Sequence, residues 1–120
     1  MKKILVLLLF AFVAQAQSSF EKKSFETKEG QVLPYQILLP KDFKPGKKYP
    51  LLVVLHGAGE RGTDNEAQMK YGKSVFMDSL NRINFPAIVI FPQCPKESYW
   101  SSVKINRSTV PTTFIFDYSA

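Results

Sequence analysis

The sequence predicts an α/β fold, and three observations carry that expectation. Leu51, Leu52, Val53, Val54 and Leu55 form an unbroken apolar run with two β-branched residues, the pattern of a strand buried on both faces. Ala87, Ile88, Val89, Ile90 and Phe91 form a second such run. Between them lies a helical segment, so residues 51–91 read strand, helix, strand. A crossover of that length implies a parallel pair and a right-handed βαβ unit.

The elements follow in order. Phe20–Phe25 and Val32–Leu39 read as strands joined by the polar turn Lys28-Glu29-Gly30, an N-terminal hairpin. Pro40–Pro50 is a polar connection, and its lysines 41, 44, 47 and 48 read as a solvated turn rather than a nucleic-acid patch. After the first apolar strand, Thr63 and Glu66 have capping-box spacing, with Asp64 also in the first turn. Met69, Phe76, Leu80 and Ile83 fall near one helical face, and Gly72 is expected to break the helix in two. Phe85-Pro86 ends the segment, and Pro92 closes the second apolar strand. From Gln93 onward Tyr99, Trp100, Phe114, Phe116 and Tyr118 lie among Ser, Thr and Pro without a clear period. That region is expected to be a surface excursion over the C-terminal end of the sheet.

The first 16 residues read as a secretory signal peptide. Lys2 and Lys3 form the charged region, Ile4–Val13 the apolar region, and Ala14-Gln15-Ala16 the cleavage site. The apolar stretch is short of the roughly 20 residues that span a bilayer, so no stable membrane anchor is expected. Export of a bacterial type, to the periplasm or the medium, is the expected location. Cleavage removes two of the 16 Lys and Arg and none of the ten Asp and Glu, so the formal charge falls from +6 to +4. A mild, scattered charge on an exported chain argues against a nucleic-acid partner. Cys94 is the only cysteine, which excludes an intrachain disulfide. Flanking prolines suggest a partly buried loop position for it.

The most informative motif is His56-Gly57-Ala58-Gly59-Glu60-Arg61-Gly62, directly after the first apolar strand. Gly57 and Gly59 let the backbone turn sharply and approach a ligand closely. The end of a parallel strand is where α/β enzymes place reactive groups. Some thirty residues on, Pro86–Phe91 runs into Pro92-Gln93-Cys94-Pro95, and Trp100 follows.

Together these residues resemble the N-terminal portion of a secreted α/β-hydrolase of the carboxylesterase/phospholipase-like and prolyl-oligopeptidase-like esterase group. The resemblance implies a serine hydrolase that cleaves small-molecule or polymer esters by acyl transfer, without cofactor or metal. It places an oxyanion-hole donor at the backbone N–H of Ala58. It gives His56, Gly57, Gly59, Glu60 and Arg61 supporting roles in the loop. His56 would hold the loop by hydrogen bonding rather than act as base, and Glu60 and Arg61 would pair with each other or with backbone groups. Tyr99 and Trp100 would line the cleft or pack the exit loop.

One departure is decisive for expectation. The nucleophile of such enzymes sits in Gly-x-Ser-x-Gly, and none of the serines here has glycine two before and two after. Asp78 and Asp117 have no positional claim to the triad. Residues 17–120 are therefore expected to be an α/β-hydrolase portion truncated before the nucleophile elbow, its sheet incomplete. A complete fold of this kind takes about 200–250 residues.

Alternatives are a serine peptidase of prolyl-oligopeptidase type, or a secreted binding domain with an aromatic platform around Tyr99 and Trp100. Ala67–Ser74 is one substitution from a P-loop but follows polar residues rather than a strand. Asn106-Arg107-Ser108 matches a glycosylation sequon, a pattern common by chance.

Overall fold

The computed structural model describes residues 19–116. The expected signal peptide, residues 1–16, lies outside these, as do Asp117 and Tyr118. Alternating and apolar runs become six strands: β1 Glu21–Glu26, β2 Val32–Leu38, β3 Leu51–Val53, β4 Ile88–Pro92, β5 Val103–Asn106 and β6 Thr113–Phe116. Two short helices, α1 Lys73–Met77 and α2 Ser79–Asn84, lie between β3 and β4.

Strands β1 to β4 form one mixed sheet in the order β1-β2-β4-β3. β1 and β2 are antiparallel, with Glu26 opposite Val32 at the turn. There Thr27 O accepts from Gly30 N–H at 3.0 Å, and Gly30 takes φ +79°, which a side chain would disfavour. β2 pairs antiparallel with β4, and β4 pairs parallel with β3, placing Val53 beside Ile90. The core gathers on the middle strands: Leu38, Met69, Val89 and Phe91 are buried. Phe91 meets Phe20 and Phe76 edge-to-face, at centroid distances of 5.3 and 5.7 Å, the geometry that aromatic quadrupoles favour.

Four expectations are corrected. The strand predicted over 51–55 is shorter, and it is exposed rather than buried on both faces: Leu51, Leu52 and Val53 are 58%, 43% and 54% accessible. The reason is position, because among the described residues β3 is an edge strand with β4 as its single neighbour. Thr63 does not cap a helix. Asp64 instead forms a local turn, its carboxylate accepting from the N–H groups of Glu66 and Ala67 at 2.9 and 3.1 Å, ahead of a 3₁₀ turn at Ala67–Met69 that has no side-chain cap.

The single apolar face does not form either. Gly72 (φ +85°) breaks the segment as expected. A second break falls at Asp78, whose carboxylate caps α2 through Leu80 and Asn81 N–H. The pieces rotate out of register, so Met69 is buried and Phe76 packs on the core, whereas Leu80 and Ile83 face solvent. A cavity of about 210 Å³ remains between the helices and sheet, bordered by Leu52, Val75, Phe85 and Val89.

Finally, the expected excursion after Gln93 holds the antiparallel hairpin β5–β6, a separate two-stranded sheet. In β5 the half-buried Val103 and Ile105 alternate with exposed Lys104 and Asn106, but the run is four residues long and β6 is exposed throughout, which makes the pattern a weak strand signal. No helix among the described residues is long and apolar enough to cross a membrane.

Candidate active site

The motif after β3 closes into a single 3₁₀ turn, Ala58–Glu60, with Gly57 extended before it (φ −79°, ψ 179°). Ala58 is exposed at the start of that turn. The first N–H groups of a helical turn have no partner within it, so this backbone presents donors outward. Ala58, His56, Gly57, Arg61, Cys94, Tyr99 and Trp100 border a small cavity of about 50 Å³. The fold thus gathers most of the residues singled out from the sequence. Gly59 and Glu60 stand outside that lining.

His56 is held at both ring nitrogens. The Cys94 N–H donates to Nε2 at 2.9 Å, so Nε2 carries a lone pair. The ring proton is then on Nδ1, which donates to Gly57 O at 2.6 Å. The imidazole packs edge-on against Trp100 at 5.1 Å, and the Trp100 indole N–H donates to His56 O at 3.0 Å.

Arg61 goes to backbone, the second of its two expected arrangements. Its Nε donates to Ala58 O at 2.9 Å and a terminal nitrogen to Ser98 O at 3.0 Å. Its guanidinium lies 4.5 Å from the centre of the Tyr99 ring, a cation–π stack. Arg107, then Arg61, favour the Tyr99 phenolate by hydrogen bonding and hold its hydroxyl below the usual value. Glu60 is buried. A side chain at Gly57 would come within 3.2 Å of the Glu60 carboxylate, closer than packing normally allows, so glycine suits that position.

Cys94 is fully buried rather than partly so, at 2% accessibility. Its backbone holds the loop on both sides, because its carbonyl also accepts from Gly62 N–H at 2.9 Å. The residue that sequence reasoning missed is Gln93, with no exposed surface. Its amide oxygen accepts from Asn65 N–H at 2.7 Å, and its amide nitrogen donates to Glu60 O at 3.1 Å and Asp64 Oδ1 at 2.8 Å. The N–H groups of Glu66 and Ala67, then Gln93, stabilise the Asp64 carboxylate and lower its pKa from 3.8.

Asn65, at φ +54°, donates to the Lys23 and Tyr35 carbonyls, both at 3.1 Å, and accepts from buried Gln68 at 2.5 Å. Gln36 completes this network by donating to Asn65 O at 2.6 Å. A glutamine immediately after a wholly apolar strand was the one available signal for it. Among the described residues no three His, Cys, Asp or Glu side chains converge as a metal site would need.

No protein-family model matches the chain, and no curated protein sequence does. The crystal structure of a thermostable esterase is similar at 42% identity with a TM-score of 0.64, over 72% of this chain and 24% of the esterase. The chain therefore spans about a quarter of that esterase's length. What the likeness establishes is an esterase-like hydrolase fold.

Proposed function

We propose that this chain forms part of an exported serine hydrolase that cleaves carboxylic esters by acyl transfer, with the Ala58 N–H as one donor of its oxyanion hole. The observation that carries this reading is the position of Ala58: exposed, first in its turn, and bordering a cavity with Tyr99 and Trp100. The likeness to an esterase supports the chemistry. Attack on an ester carbonyl builds negative charge on oxygen, and a preorganised N–H aimed at that oxygen contributes on the order of 3 kcal/mol to the transition state.

Within this scheme His56 is a support of the loop. Both its nitrogens are engaged there, which leaves the proton transfers to another residue. Gly57 and Gly59 keep side chains away from the approaching carbonyl. Glu60 and Arg61 hold the turn from behind, and Tyr99 and Trp100 form the wall facing it. Small-molecule and polymer esters are the proposed substrates, and transfer to serine and then water calls for no cofactor. Lys2, Lys3 and the Ala14-Gln15-Ala16 site support export.

The test is hydrolysis of p-nitrophenyl acetate by the full-length protein and by Ala58→Pro. Proline is tolerated at the first position of a helical turn and after extended backbone, so this change deletes the N–H selectively. Turnover is expected to fall about 10²–10³-fold. Unchanged turnover in Ala58→Pro removes Ala58 from the oxyanion hole. Absence of ester hydrolysis by the wild type, with cleavage of a peptide or binding of a sugar instead, overturns the esterase reading.

A further inference from the structure

Three consecutive carbonyls of the turn are each held by a different side-chain donor. His56 O accepts from the Trp100 indole at 3.0 Å, Gly57 O from the His56 imidazole at 2.6 Å, and Ala58 O from Arg61 Nε at 2.9 Å. In a trans peptide the carbonyl and the following N–H point in opposite directions. Holding these three oxygens therefore directs the N–H groups of Gly57, Ala58 and Gly59 away from the three donors. The orientation of the Ala58 N–H is set by what grips Gly57 O: the Glu60 N–H within the turn at 3.3 Å and, at the shorter distance of 2.6 Å, the His56 ring.

The His56 ring is itself gripped twice. The Cys94 N–H occupies Nε2 and so selects the tautomer with its proton on Nδ1. Trp100 packs its indole against the ring at 5.1 Å while bonding the carbonyl of the same residue. We infer that Trp100 is a positioning residue: through its indole N–H and its ring contact it holds His56 so that the imidazole aims the Ala58 N–H. The inference rests on the reading of Ala58 as an oxyanion donor and assigns Trp100 a task other than contacting substrate. Its one polar atom is committed to the loop, so the indole N–H does not serve as a donor to substrate. The arrangement joins residues 44 apart in sequence, so the exit loop after β4 controls the turn after β3.

The imidazole and indole nitrogen signals of the pair are assigned in the full-length protein by their loss in His56→Gln and Trp100→Phe. In ¹⁵N-labelled full-length protein, the imidazole is expected to show a protonated Nδ1 and an unprotonated Nε2, with a slowly exchanging indole proton. Trp100→Phe keeps an aromatic ring and deletes the donor. It is expected to mix the two tautomers and to lower kcat about 10- to 100-fold with KM nearly unchanged, the signature of misplaced transition-state contacts. Should Trp100→Phe fail to fold, benzothienylalanine at position 100 keeps the bicyclic shape without the N–H, and the same readouts apply.

Unaltered imidazole signals and kcat in the variant overturn the inference. So does a rise in KM at constant kcat, which makes Trp100 a substrate contact instead. The nitrogen signals need no turnover, which separates the two readings. The predicted tautomer in a protein that hydrolyses no ester leaves the clamp standing and removes the esterase. Ester turnover with a freely exchanging indole proton removes the clamp alone.

Discussion

The loop after β3 and the flank formed by β3, α1 and α2 reach opposite arrangements from opposite compositions. Around residues 56–68 the side chains withdrawn from water are mostly polar: Gln36, Glu60, Gln68 and Gln93 are buried, with Cys94 beside them. On the flank the side chains facing water are apolar: Leu51, Leu52, Val53, Val75, Leu80, Ile83 and Phe85 are all exposed. Buried amides are tolerable where hydrogen bonds compensate the loss of water: Gln93 alone makes three through its side chain, whereas the Gln68 amide oxygen has no partner among the described residues. Among the described residues no second layer covers the apolar surface of the flank. In this molecule, order at the candidate site comes from directional bonds to the backbone, and hydrophobic burial is concentrated around Phe91.

The deepest cut into that contrast is Phe91→Ala. Phe91 is 1% accessible and touches two further rings, so its loss is expected to destabilise by about 4 kcal/mol in urea unfolding. A loss below about 1 kcal/mol would mean that packing matters less than the polar network. Next, Gln93→Ala leaves Asn65 N–H, Glu60 O and the Asp64 carboxylate without their partner. About 3 kcal/mol is expected, together with faster amide exchange across residues 60–66.

A smaller effect is expected from pH. Because the folded state lowers the Asp64 pKa below 3.8, its contribution is present above that value and lost as pH falls through the folded one. Thermal stability is expected to decline below pH 3.8, and Asp64→Asn should flatten the decline. The smallest change belongs to the flank. Leu80→Gln, at a side chain 66% accessible, is expected to shift stability by less than about 0.5 kcal/mol. A large loss there would show that the flank is packed in the full-length protein.

Much of the architecture was legible because it is local. The turn at Gly30, the break at Gly72 and the apolar runs of β3 and β4 follow from glycine conformation and residue type over a few positions. The motif at residues 56–62 was legible as a candidate site for a similar reason, since its glycines sit just after a strand. The breaks that failed to show are instructive. Asp78 caps α2 through a side-chain bond that competes with continuing the helix, and helical periodicity counted across it loses its phase. Burial of β3 was misjudged because apolar composition records what a strand can tolerate, while accessibility depends on its neighbours.

By itself, then, the sequence determined that a hairpin precedes two apolar strands with a broken helical segment between them, and that Gly57 and Gly59 allow a close turn. Only the tertiary structure decided that Gln93 is buried beneath the loop, that His56 carries its proton on Nδ1, and that Trp100 grips the His56 carbonyl. Each of those outcomes is a hydrogen bond between groups 28 to 44 residues apart. Local propensity acts over a few residues, so pairings of that span exist only once the sheet brings the ends of β3 and β4 together.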